Sequence, residues 1–190
     1  MATVRPGRKA ALLVVDAQAG VVAQAWEPGC VVGRIARAVE RARQAGLPVL
    51  WVQHENDELP RGSAAWQWAA PLAPATGEAV VPKQHNSAFE DTALEATLAA
   101  RGVSHVVLAG AESAWCIRAT AYGALERGYD LTLLADAHTT APLQPQPGVR
   151  IEAKAVVDDL NLVMTWLSYP GRRNQAVPVD QMDFAAAAAG

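Results

Sequence analysis

Val106-Val107-Leu108-Ala109-Gly110-Ala111-Glu112-Ser113-Ala114-Trp115-Cys116-Ile117 passes from an uninterrupted apolar segment, through a glycine, into a helix-like stretch that ends at Gly128. A short apolar run closed by glycine reads as a strand buried on both faces, as in a parallel sheet. From Ala114 to Arg127 the apolar Ile117, Ala121, Ala124 and Leu125 recur at helical spacing, which puts Cys116 in the first turn of a helix that follows a strand. Ser113 is positioned to cap that helix through its hydroxyl. Unpaired backbone N–H groups in the first turn and the positive end of the helix dipole favour the thiolate, the nucleophilic form of cysteine.

The same unit recurs along the chain. Ala11-Leu12-Leu13-Val14-Val15 ends at Asp16, and Leu47-Pro48-Val49-Leu50-Trp51-Val52 is a second apolar run. Between them Val32, Ile35, Val39 and Ala42 form one face of a helix and Arg34, Arg37, Glu40 and Arg41 the other, with Pro28 before and Gly46 after. This is the pattern of a strand, a crossover helix and a parallel strand. Thr92 with Glu95 spells a capping box for a helix carrying Leu94 and Leu98, which stops at Gly102 and feeds a strand over 104–109. Leu131-Thr132-Leu133-Leu134 reads as a further strand ending at Asp136, and 151–167 as a final helix. Alternation of strand and helix predicts one α/β domain over 1–184, a doubly wound, mostly parallel sheet with helices on both faces. Residues 185–190, Ala-rich and of low complexity, are set apart as a tail without function.

Composition narrows the partners. The 190 residues are 51% hydrophobic and 18% charged, with a net charge of -3, which excludes a disordered chain and argues against nucleic acid or an acidic membrane as partner. A small molecule is expected instead. No apolar run approaches the roughly 20 residues that cross a bilayer, and 1–8 lacks the hydrophobic segment of a signal peptide. Cys30 and Cys116 are the only cysteines, too few for a disulfide framework, so a cytoplasmic location with both thiols reduced is expected. Cys30, at a helix start, reads as packing.

In open α/β sheets ligands bind beyond the carboxyl ends of the strands, where Asp16, His54, Cys116 and Asp136 all fall. Asp16 can act as general base and acid, Lys83 follows the short Val80-Val81-Pro82 run, and Cys116 supplies the nucleophile. Backbone N–H groups of the 112–116 turn are candidates for an oxyanion hole. The loop 54–82, with Trp66 and Trp68, is too long for an ordinary connection and suits a functional role. Substrate lining is assigned to Gln18, Trp66, Phe89 and Trp115; for Gln18 the alternative is to hold the Asp16 loop, and for the tryptophans core or subunit interface. The four histidines lack metal-ligand spacing, so neither metal nor cofactor is expected.

Three blocks in order, Leu13-Val14-Val15-Asp16-Ala17-Gln18, then Lys83 with Asn86-Ser87-Ala88-Phe89 and Thr92-Ala93-Leu94, then Gly110 to Ile117, resemble the signatures of the isochorismatase-like cysteine hydrolases. Gly128-Tyr129 and Asp136-Ala137 extend the resemblance over roughly residues 10 to 167. It implies six parallel strands, an Asp16, Lys83, Cys116 triad and attack by Cys116 to give a thioester. It also implies a cis peptide between Ala111 and Glu112, the Glu112 and Cys116 amides as oxyanion hole, and assembly into dimers or tetramers. His54-Glu55-Asn56-Asp57-Glu58 stands where the nicotinamidase branch carries an Asp-x-His-x-His metal site, which points to the metal-free amidase-type branch. Glu112 is an unusual charge beside the oxyanion site, either turned away or placed to contact a cationic substrate. The leading expectation is cleavage of an amide or carbamoyl C–N bond. The alternatives are a thiol redox sensor or binding protein without hydrolysis and, less favoured given Cys116, a vinyl-ether hydrolase. A Rossmann dehydrogenase is disfavoured because no Gly-x-Gly-x-x-Gly follows the first strand.

Overall fold

Apolar runs pair into a single layer because each is buried on both faces. The computed structural model describes Ala2 and residues 4–190. Its strands are β1 (Lys9–Val15), β2 (Val49–His54), β3 (Ala79–Lys83), β4 (Val103–Ala111), β5 (Asp130–Thr139), β6 (Leu143–Gln146), β7 (Val149–Ile151) and β8 (Asn174–Val177). Six of them form a parallel sheet in the order β3-β2-β1-β4-β5-β8, and β6 and β7 make a separate antiparallel hairpin. The helices are α1 (Ala19–Val22), α2 (Pro28–Gln44), α3 (Leu94–Ala100), α4 (Arg118–Glu126), α5 (Ala153–Trp166) and α6 (Phe184–Ala189).

Alternate residues of each central strand face opposite cores. Leu12, Val14, Trp51, Val107 and Ala109 meet Val31, Ile35, Ala38 and Val39 of α2 and Phe184 of α6. Leu13, Val15, Leu50, Val106 and Leu108 meet Leu94 and Leu98 of α3, Ala121 and Leu125 of α4, and Leu160 and Met164 of α5. The fold is thus the α/β sheet covered on both faces that the periodicity predicts. Strand order reverses between β1 and β4, the point where open α/β sheets place their ligands.

Several local expectations give way. The Thr92 and Glu95 capping box does not form: the Thr92 hydroxyl accepts from Leu94 N–H and donates to Ala88 O, while Glu95 pairs with Arg5 and Arg127. Residues 113–117 form a π-helical turn ahead of α4, entered from Glu112 without a side-chain cap, so Ser113 is not an N-cap. The Ala-rich tail is not separate from the domain. It is α6, capped by the Asp183 carboxylate on Ala186 N–H, with Phe184 buried beneath the Arg41 guanidinium. The short polar β8 and the exposed β6–β7 hairpin carry no apolar periodicity that would mark them in the sequence.

Candidate active site

Gly110 lies opposite Val15 in the β1–β4 register, at φ +130°, and a Cβ there would stand 1.9 Å from Val15 O. Only glycine lets the two strand ends approach this closely. The chain after β1 turns through Asp16 at φ +50°, a left-handed conformation that aspartate tolerates, and the chain after β4 enters the π turn that carries Cys116. Lys83 ends the edge strand β3, where Pro82 is tolerated because edge strands leave N–H positions unpaired. Its side chain runs inward past His54, its register partner on β2, and is buried.

Asp16, Lys83 and Cys116 come together. Lys83 Nζ lies 2.7 Å from Asp16 Oδ2 and donates to Cys116 Sγ at 3.3 Å and to His85 O at 3.0 Å. It also lies 3.1 Å from His54 Nδ1. An ammonium has no acceptor, so His54 Nδ1 must be the unprotonated nitrogen. Burial, assisted by the Lys83 charge, lowers the His54 pKa to about 4, which keeps the ring neutral.

Burial raises the Asp16 carboxyl to about 6 against the opposing attraction and hydrogen bond of Lys83. Its Oδ1 is buried without a conventional hydrogen-bond partner among the described residues, while the carboxyl and the Cys116 thiol are within reach of each other. Burial, and then the Asp16 charge, pushes the Cys116 thiol up to about 12. Desolvation in the half-buried pocket thus opposes the thiolate that the start of the turn and Lys83 favour.

The remaining assignments divide. Gln18 is fully buried with its amide on backbone groups, accepting from His54 N–H at 2.9 Å and donating to His54 O and Trp66 O at 3.0 and 2.9 Å. It clamps the ends of β1 and β2 to the 55–78 loop, the alternative role given to it above. Phe89 is buried against Tyr129 and Arg127 on the helical side. Trp66 holds the loop through its carbonyl, and its indole N–H is buried without a partner among the described residues. Trp115 is half exposed and lines an apolar cavity of about 370 Å³ with Leu143, Ile151 and Val156. A second cleft of about 260 Å³ reaches Lys83 between Glu55, His85 and Asp91. A third cavity, about 410 Å³, lies away from this chemistry, beside the starts of β4 and β5.

Residues absent from the expected site complete it. His54 and the His85 carbonyl orient Lys83, and Asn86 Oδ1 lies 3.9 Å from Cys116 Sγ. Ser113, inside the π turn, pairs through Oγ with His138 Nδ1 at 2.7 Å; His138 Nε2 meets Asn161 Oδ1 at 3.0 Å, and Asn161 donates to Ala135 O. The position of His54 at a strand end was the signal for its role. His138, inside a strand, gave none. The Ala111–Glu112 peptide is cis.

Residues 10–155 match the isochorismatase domain. The chain belongs to the isochorismatase family. Among curated members it is 35% identical over 156 residues to a streptothricin hydrolase of Streptomyces noursei, covering 78% of this chain and 60% of that protein. A maleamate amidohydrolase of Pseudomonas putida is 34% identical over 146 residues, covering 65% of this chain and 68% of that protein. The chain thus spans between half and two-thirds of the length of the streptothricin hydrolases it matches. Among solved isochorismatase-family structures, one titled an isochorismatase from Pseudomonas putida superposes with a TM-score of 0.83 at 26% identity, covering 94% of this chain and 93% of that one.

Proposed function

We propose that the protein is a cysteine hydrolase that cleaves an amide or carbamoyl C–N bond of a small molecule with side chains and water alone. The observation that carries this reading is the buried Lys83 ammonium, bonded at once to Asp16 and to the Cys116 sulfur. Relatives named ureidoacrylate amidohydrolase and maleamate amidohydrolase support the choice of bond.

In the proposed reaction Cys116 Sγ attacks the carbonyl carbon as its proton passes to the Asp16 carboxylate. Lys83 holds both groups and offsets the negative charge on each. The carbonyl oxygen becomes an oxyanion received by backbone N–H groups of Glu112 and Cys116. Collapse breaks the C–N bond, the leaving nitrogen takes the proton from Asp16, and a thioester remains on Cys116. Water then attacks that carbonyl, giving a proton to Asp16; the C–S bond breaks, and the sulfur regains its proton as the acid departs. A thiol that burial holds above its ordinary range fits a mechanism in which deprotonation accompanies attack.

Trp115, Ile151, Leu162 and Trp166 are exposed apolar side chains, which supports the proposal of a homo-oligomer. No helix among the described residues is long and apolar enough to cross a membrane; a cytoplasmic location is part of the proposal. The test is ammonia release from a panel of primary amides and carbamoyl amines by the wild type and by Cys116→Ala. A variant that melts within a few degrees of the wild type yet has lost turnover is expected. Undiminished release by the variant would reject the mechanism.

A further inference from the structure

Lys83 Nζ has three hydrogens to give and four acceptors around it: Asp16 Oδ2 at 2.7 Å, His85 O at 3.0 Å, His54 Nδ1 at 3.1 Å and Cys116 Sγ at 3.3 Å. The lysine side chain is fully buried, so these groups share the hydrogens among themselves. Two of them hold theirs throughout. The Asp16 carboxylate makes a charge-assisted bond, and the His85 carbonyl is backbone only two residues away. The third hydrogen lies between an imidazole nitrogen and a sulfur. Against a thiol, a weak acceptor, the imidazole prevails; against a thiolate, which is charged, it gives way. The charged groups that act on the sulfur are Asp16, from the end of β1, and Lys83, from β3, while His54, on β2, feels the charge of Lys83. Glu112 acts on Asp16 from the start of the turn, and His138 of β5 meets the turn at Ser113.

We infer that His54 and Cys116 compete for one N–H of Lys83, which His54 holds while the sulfur is a thiol and yields when the sulfur becomes negative. The inference rests on the cysteine-hydrolase reading above and adds a positioning residue to it. No proton changes owner in the exchange: the hydrogen stays on Nζ and only its acceptor changes. Lys83 keeps Asp16 and the His85 carbonyl meanwhile, so the ammonium stays in place as charge develops on sulfur, first in attack and again when the thioester breaks. The competition fixes the sign of a test. The hold of His54 on the third hydrogen opposes the thiolate, so removing its nitrogen eases ionisation of Cys116. A residue that merely propped Lys83 in place would, when lost, make that ionisation harder.

Two variants separate the nitrogen from the ring. His54→Phe keeps a ring and has no acceptor, whereas His54→Asn loses the ring but can set its amide oxygen in the place of Nδ1. Alkylation of Cys116 by iodoacetamide at pH 8 is followed on the folded proteins by peptide mass spectrometry, with Cys30 read separately as the control. In His54→Phe, Cys116 should label about three- to tenfold faster than in the wild type. That is the effect of one hydrogen bond to a charged group, partly offset by the lower nucleophilicity of a less basic thiolate. His54→Asn should stay within about twofold of the wild type. A phenyl ring is no smaller than an imidazole, so faster labelling reports ionisation and not exposure. If His54→Phe does not fold, His54→Leu replaces it with the same expectation. Labelling of the acceptor-free variant at or below the wild-type rate would overturn the inference, as would equal acceleration in His54→Asn. Alkylation needs no amide, so a failure of amide turnover would reject the hydrolase reading without altering this result.

Discussion

Burial raises the proton affinity of both reacting groups, Asp16 to about 6 and Cys116 to about 12, so at neutral pH the sulfur keeps its proton while most of the carboxylate is free to take it. In the proposed mechanism this suits the pair to general-base attack, with Lys83 as the shared counter-charge. The sign of the pH dependence follows: protonating Asp16 removes the base, so kcat/KM should fall as pH drops through about 6. Asp16→Asn should lower kcat/KM by about 10²- to 10⁴-fold and abolish that acid limb, as stopped-pH kinetics would reveal. A full-rate variant would contradict the assignment. Gly110→Ala is a second residue-scale case. Its Cβ would strike the backbone carbonyl of Val15 at φ +130°, so a loss of about 3 kcal/mol or more is expected in denaturant melts.

Between elements, the chain Ser113–His138–Asn161 ties the π turn to β5 and α5. Burial depresses the His138 pKa to about 4 from its ordinary 6.5, and its Nδ1 accepts from the Ser113 hydroxyl. A depressed folded-state pKa contributes stability that is present above pH 6.5 and lost as pH falls towards 4, here about 3 kcal/mol. His138→Gln should flatten the fall in unfolding free energy over that window; an unchanged slope would show that other groups carry it. This device was not legible in the sequence, because a histidine within a strand does not announce its neighbours. The long central strands and α2 were legible, since both faces or one stripe must be apolar. The one-residue difference between a π turn and an α turn leaves no mark in apolar spacing, and it moved Ser113 from a cap to a hydrogen bond with His138. Phe89 stands six residues after Lys83, but the sequence did not tell that its ring would turn to the helical side against Tyr129.

Across the whole molecule, the site exists because one parallel sheet reverses its strand order between β1 and β4, and because distant segments hold its ends in place. Lys83 arrives from the far edge of the sheet, and the 55–78 loop is pinned by Gln18 and Gln53. The chain closes with α6, an alanine run whose sequence carries too little pattern to reveal packing, yet which helps seal the core over β1 and α2 through Phe184. Phe184→Ala should cost about 3 kcal/mol in chemical denaturation, whereas a freely hanging tail would show no change. The central claim, that Cys116 carries the acyl group, is tested most directly by rapid-quench peptide mass spectrometry during turnover of an amide that releases ammonia. The account predicts an acyl increment on the Cys116 peptide that rises before steady state and decays as substrate is spent. Ammonia release with that peptide unmodified at every time, and at the same rate in Cys116→Ala, would contradict it.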